Sequence, residues 1–171
     1  FSPRLKPISD LVKQGFPAII SMFFISINFY AILYFITDFG KPAVAAYGVA
    51  TRVVQIMLLP SIGLTTAALS LTGFNFGANN LERVNQTWRA CFHYSLLLTT
   101  FGGILLFCFP EFLLKLFTDS EEIIEVGTIL LRVEAVLLTA YTTIFLGTSV
   151  LQGLKQPMFG MILSIYRLIV A

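Results

Sequence analysis

Four long stretches without a charged residue constrain this chain more than anything else in it. They run from Phe16 to Thr37, Val53 to Leu81, Ala90 to Pro110 and Ala135 to Leu154. Crossing the hydrocarbon core of a bilayer takes about 20 apolar residues as a helix. No soluble domain needs four such runs within 171 residues. In lipid every backbone N–H and C=O must be satisfied inside the segment, so the runs predict helices. The fold class expected is an all-α membrane protein, a polytopic helix bundle.

Composition agrees. Charged residues are 12% of the chain, about half the usual share in soluble domains. The 17 phenylalanines suit lipid-facing and helix-packing surfaces. A net charge of +2 with scattered Lys and Arg forms no basic patch, which argues against a nucleic-acid partner. The chain begins at Phe1 rather than Met, and Ala171 falls inside an apolar run, so it reads as a piece of a longer protein. The opening FSPRLKPISDLVKQ lacks a small-residue cleavage site and is not a signal peptide. Cys91 and Cys108 share one predicted helix, about 25 Å apart at helical rise and beyond disulfide reach.

Five spanning helices are expected, over 10–37, 43–76, 83–109, 120–153 and from 158 onward. Asp38 to Pro42 reads as the turn ending the first. Pro60 removes a backbone bond near the middle of the second and predicts a bend, which makes it a candidate hinge. After Pro110 the stretch FLLKLF reads as an interfacial amphipathic segment, and Thr118 with Glu121, or Asp119 with Glu122, fits a capping box for the fourth helix. With a cytoplasmic N-terminus, Arg4, Lys6, Lys13, Arg83, Arg89 and Lys155 fall on the inner side, against Lys41, Arg52, Lys115 and Arg132 outside. That bias favours the cytoplasmic orientation and a multi-pass location in the cell (inner) membrane.

Polar groups at membrane depth are the candidate site residues, because placing them there is costly. Ser26, Asn28, Tyr30 and Tyr34 form a polar set on the first helix, with Ser26, Tyr30 and Tyr34 on one face. The face is expected to look into the bundle, lining a solute path or only packing. Glu134 either faces a cation path or sits in the headgroup layer, whereas Arg132, two residues away, points elsewhere and reads as interfacial. Tyr141, Thr142 and Thr143 make a second polar patch, although Ser and Thr in helices often bond their own backbone. Arg167 either lines a cavity or snorkels. His93, the one histidine, has no carboxylate spaced to meet it and reads as an interfacial polar residue. Gly73 and Gly77 have the small-xxx-small spacing that lets helices approach closely. No Ser–His–Asp set, metal-ligand cluster or phosphate loop is present in the sequence, so nothing argues for an enzyme, a metal or a cofactor.

The string GKPAVAAYGVATRVVQIMLLPSIGLTTAALSLTGFNFGANNLERV resembles the second helix of a repeat of the multidrug and toxic compound extrusion (MATE) family. Its marks are the Ala-Ala-x-Gly-x-Ala-x-Arg run ending at Arg52, Pro60-x-x-Gly63, and Gly-x-Asn-x-Gly-Ala from Gly73 to Ala78. Gly15-Phe-Pro17 and Leu151-Gln-Gly153 resemble a repeat opening and a fourth-to-fifth helix junction. The resemblance implies a twelve-helix transporter of which this chain is helices seven to eleven. Residues 1–14 would then close the cytoplasmic inter-lobe loop, and 15–171 would be the C-terminal lobe, partnered by an N-terminal lobe. It implies export of organic, often cationic compounds by antiport with protons or sodium. The sodium-coupled branch is expected to hold acidic residues where this chain has Ser26 and Tyr141; their absence here favours protons and points to a coupling residue in the N-terminal lobe, with Glu134 as the alternative within this chain. Two other readings stand beside it. A lipid-linked oligosaccharide flippase of the same superfamily would show several cavity-facing cations, for which Arg52 and Arg167 are the candidates. A non-transporting membrane scaffold would need neither Pro60 nor a polar face around Asn28.

Overall fold

The apolar runs do form helices. In the computed structural model, described for residues 5–156, 158, 159 and 162, the described elements are five helices. They are α1 (Leu5–Thr37), α2 (Lys41–Gly77), α3 (Leu81–Cys108), α4 (Pro110–Lys115) and α5 (Glu121–Gly153). The expected boundaries hold within two residues for α2, α3 and α5. α1 starts at Leu5, five residues earlier than expected, and runs on through Pro17. The helix expected from 158 lies largely outside the described residues, although 158, 159 and 162 are helical. The interfacial FLLKLF stretch supplies the short α4.

Gly15–Thr37 of α1, α2 and α3 are long and apolar enough to cross a membrane. α5 was expected to span too. It forms at 33 residues, but Glu121, Glu122, Glu125, Arg132 and Glu134 gather in its first half, leaving the uncharged run from Ala135 for the membrane core.

The turns follow local chemistry. Gly40 ends the first turn at φ 91°, a region that L side chains rarely adopt, and Pro42 sits in the first turn of α2, where its missing N–H costs nothing. Asn79 takes φ 56°, and Asn80 caps α3 by accepting the Arg83 backbone N–H at 3.1 Å. The capping box expected at α5 is not formed. The helix begins after Ser120, and the Thr118 hydroxyl instead accepts from the Ser120 backbone N–H at 3.3 Å. Glu121 and Glu122 still place negative charge at the positive helix end.

α5 is the strut of the bundle. α2 and α3 lie along it, α4 covers its first turns, and α1 packs on the edge of α2. One core joins Ala50, Val53 and Val54 of α2 with Leu106, Leu114, Ile124, Leu131 and Leu138. A second joins Ala68, Cys91, Leu146 and Val150, edged by the stacked rings of Trp88 and Phe92. Along each helix, a layer of buried hydroxyls separates the two cores: Ser61 on α2, Ser95 and Thr99 on α3, Thr142 on α5. Thr99 donates to the Ser95 carbonyl at 2.8 Å and Thr142 to the Leu138 carbonyl at 3.0 Å. Among the described residues the Ser61 and Ser95 hydroxyls have no partner.

Small residues set how closely the helices pack. A Cβ on Gly103 would lie 3.0 Å from the Ala135 carbonyl oxygen, and one on Gly102 would lie 3.4 Å from Leu138 Cδ2 and 3.7 Å from Met57 Cβ. The Gly73–Gly77 motif carries less than expected: Gly73 lies in ordinary contact with the Gly153 carbonyl, and Gly77 faces open space. The close approach between α2 and α5 belongs to Gly153 instead.

Candidate functional site

Polar side chains of α2 and α5 face the same region where α1 joins the bundle. Ala43, Ala46 and Ala50 are buried on α2, and with no bulk beyond Cβ they keep that face of the helix close to its neighbours. Tyr47 lies within this stretch, half-buried. Its ring packs against Phe29 of α1 with centroids 5.6 Å apart, and its carbonyl accepts the Thr51 hydroxyl at 2.7 Å. Glu134 and Tyr141 of α5 both lie within electrostatic reach of the Tyr47 hydroxyl. They are seven residues apart and so share a face two turns long. The Glu134 carboxylate and the Tyr141 phenol therefore share one electrostatic neighbourhood with Tyr47, beside the Phe29–Tyr47 ring contact. Such a set can hold a proton or a small cation, the carboxylate supplying charge and the phenols neutral oxygen.

Glu134 and Tyr141 are thus brought together as half-buried residues. Sequence reasoning missed Tyr47, which stood inside the Ala-Ala-Tyr-Gly run only as a family mark. No periodicity of α2 singles it out, because only the packing of α5 brings a carboxylate to it.

The α1 set lies apart from this cluster. Tyr30 and Tyr34 are 70% and 72% exposed; the face expected to look into the bundle is not packed against the other described helices. Ser26 is exposed and donates to the Met22 carbonyl at 3.1 Å, while Asn28 is half-buried. Tyr30, Tyr34 and Thr37 line a groove of ≈ 580 Å³ along α1. α1 touches the bundle along one side of α2, and its remaining circumference is left uncovered by the described helices. Arg167 lies outside the described residues.

Other candidates resolve locally. Thr142 and Thr143 donate to the Leu138 and Thr139 carbonyls, as helical threonines tend to. His93 is exposed, with Nδ1 2.6 Å from the Arg89 carbonyl oxygen. Arg132 is exposed and lies over the Phe107 ring, 6.0 Å from its centroid. Pro60 is exposed, and α2 continues through it. Cys91 is buried and Cys108 exposed, both as free thiols. Among the described residues no group of three or more His, Cys, Asp or Glu is placed to hold a metal ion.

Comparison with known proteins sets this arrangement in context. Multidrug export protein MepA of Staphylococcus aureus (strain MSSA476) is 27% identical over 165 residues, covering 96% of this chain and 36% of that protein. A probable multidrug resistance protein NorM of Thermotoga maritima is 28% identical over 131 residues, covering 77% of this chain and 28% of that one. The chain thus spans about a third of the length of these relatives. Among solved structures, a MOP superfamily transporter from Pyrococcus furiosus, described as having a binding pocket of reverse polarity, matches with a TM-score of 0.91 at 24% identity over 99% of this chain and 38% of its own. A MATE transporter in its straight conformation matches with a TM-score of 0.89 at 23% identity. These structural likenesses establish the fold. The MatE family profile matches residues 17–171, nearly the whole of the sequence, and the chain belongs to that family.

Proposed function

We propose that this chain is most of the C-terminal lobe of a secondary active transporter that exports organic, often cationic compounds by antiport. The coupling ion is a proton, with sodium as the alternative, and Glu134 is the residue in this lobe that binds it. The observation that carries the reading is that Glu134 and Tyr141 lie within electrostatic reach of Tyr47, all three half-buried. Family membership and relatives named for multidrug export support the substrate class. The exposed tyrosine face of α1 suits a helix that lines a path shared with an N-terminal lobe, the partner expected in the full transporter. Half-buried between helices, a carboxylate is stabilised by a bound cation or a proton that offsets its charge, which makes an exchangeable ion a reason for Glu134 to be there.

The test is uptake of a fluorescent organic cation by proteoliposomes holding the full-length parent, under an imposed pH or sodium gradient. Response to pH alone, lost in Glu134→Gln, is the expected result. Response to sodium alone identifies the other ion. Gradient-driven uptake that survives Glu134→Gln moves the coupling site out of this lobe, and no uptake under either gradient favours the lipid-linked oligosaccharide flippase.

A further inference from the structure

Arg132 and the groove beneath it form a second polar-and-apolar pair, on the face of α3 and α5 away from the Tyr47 cluster. α4 sits over the first turns of α5: a Cβ on Gly127 would lie 2.9 Å from Leu114 Cδ1, with Leu114 fully buried. Below that cover comes Arg132, about three turns into α5. Its guanidinium lies over Phe107, in the last turn of α3. Arg132 is therefore level with the point where the spanning helix α3 ends and the short α4 begins, the depth of the lipid headgroups. Exposed Phe109 and Phe112 flank the same level, as aromatic residues do at membrane interfaces.

Directly below, a groove of ≈ 340 Å³ runs between α3 and α5, from Phe107 and Cys108 down to Thr99 and Thr139. It exists because Gly103 has no side chain, which brings the α3 backbone against the Ala135 carbonyl and leaves Ile104 and Val136 as walls. Val136 also belongs to a shallower groove that contains Arg132, Ile129, Val133 and Leu137. The two grooves thus meet at Val136, with a cation at the top and, beneath it, walls of Ile104, Phe107, Ala135 and Val136 interspersed with Thr99, Thr100 and Thr139. An arginine exposed on a membrane helix is stable where its charge meets an anion, and a guanidinium is well shaped to grip a phosphate.

The geometry points to a binding site for an anionic phospholipid, with its phosphate on Arg132 and an acyl chain in the α3–α5 groove. Charge and apolar surface are stacked in the order in which such a lipid presents them. Phe107 holds the guanidinium in place from below, and Val136 lines the chain where the two grooves join.

Native mass spectrometry of the full-length protein, reconstituted in vesicles of equal phosphatidylglycerol and phosphatidylcholine, tests this. Wild type should retain phosphatidylglycerol over phosphatidylcholine by about tenfold, the ratio one charge-assisted hydrogen bond supplies. Arg132→Gln should abolish the preference and Arg132→Lys should keep part of it. Val136→Trp, at a position 72% exposed and so tolerant of bulk, should fill the groove and lower retention of both lipids with Arg132 intact. Equal retention of the two lipids by wild type overturns the proposal. So does a phosphatidylglycerol preference unchanged in Arg132→Gln and Val136→Trp, or retention of neither lipid by wild type, the result expected if another part of the full chain covers the groove.

Discussion

Gly153 stands so close to Thr72 that a side chain added to it would lie 2.8 Å from the threonine Cβ and 2.9 Å from the Leu69 carbonyl oxygen. Both obstacles are backbone or near-backbone atoms of α2, which cannot swing aside as a long side chain can. Gly153 therefore sets the separation of α2 and α5 at the end of the bundle marked by Leu146 and Val150. Gly153→Ala should lower the stability of the full-length protein by about 1–3 kcal/mol, the usual cost of overpacking. Gly147, with nothing within 4 Å of an added Cβ, serves as the control: Gly147→Ala should be neutral or stabilising through helix propensity. Thermal unfolding in detergent separates the two, and equal melting temperatures would show that α2 and α5 move apart at little cost.

Ser61 is 2% exposed, and its hydroxyl has no partner among the described residues. A buried donor left unmade is a standing cost, so removing it should not hurt. Ser61→Ala should leave stability unchanged or raise it by about 1 kcal/mol. A drop in melting temperature would instead mean that the hydroxyl is satisfied in the full transporter.

Pro60 interrupts the backbone bonding of a 37-residue helix and lies one position from the buried hydroxyl layer. Proline inside a helix removes one i→i−4 bond, which lowers local rigidity where the two cores are joined. If Pro60 is a hinge, Pro60→Ala should cut transport turnover by about tenfold while expression and melting temperature hold or improve. Equal losses of turnover and folded yield would reduce Pro60 to a folding residue.

Tyr47 lies within electrostatic reach of Glu134. Tyr47→Phe keeps the ring against Phe29 and removes only the hydroxyl. Transport should fall by roughly tenfold at limiting ion gradient, the size expected for loss of one polar group facing a bound ion. It should recover at saturating gradient, because the carboxylate remains. Unchanged ion dependence would confine Tyr47 to packing.

The helices themselves were legible from the uncharged runs, since a membrane segment must satisfy its backbone internally and helix is the local way to do so. Gly40 and Pro42 mark the first turn by residue type alone, and the α2, α3 and α5 boundaries followed within two residues. The capping box at Thr118 did not form, because the spacing fits two overlapping registers and the helix took a third start, after Ser120.

The site was legible in part. Glu134 and Tyr141 stood out as polar groups in apolar surroundings, which is a property of one helix. Tyr47 did not, because its significance lies in which face α5 turns toward α2. Likewise Gly73–Gly77 has the spacing of a contact motif, yet Gly153 makes the contact.

What the sequence determined by itself was therefore the class of fold, the ends of α2, α3 and α5 and the family, all set by local backbone demands and by residue runs. What only the tertiary structure decided was which helix faces meet: Tyr47 with Glu134, Arg132 with Phe107, Gly153 with Thr72. In a chain apolar all round its helices, lipid and protein surfaces look alike in composition. Helix rotation is then settled by how side chains and missing side chains fit against one another, and that fit is a property of pairs.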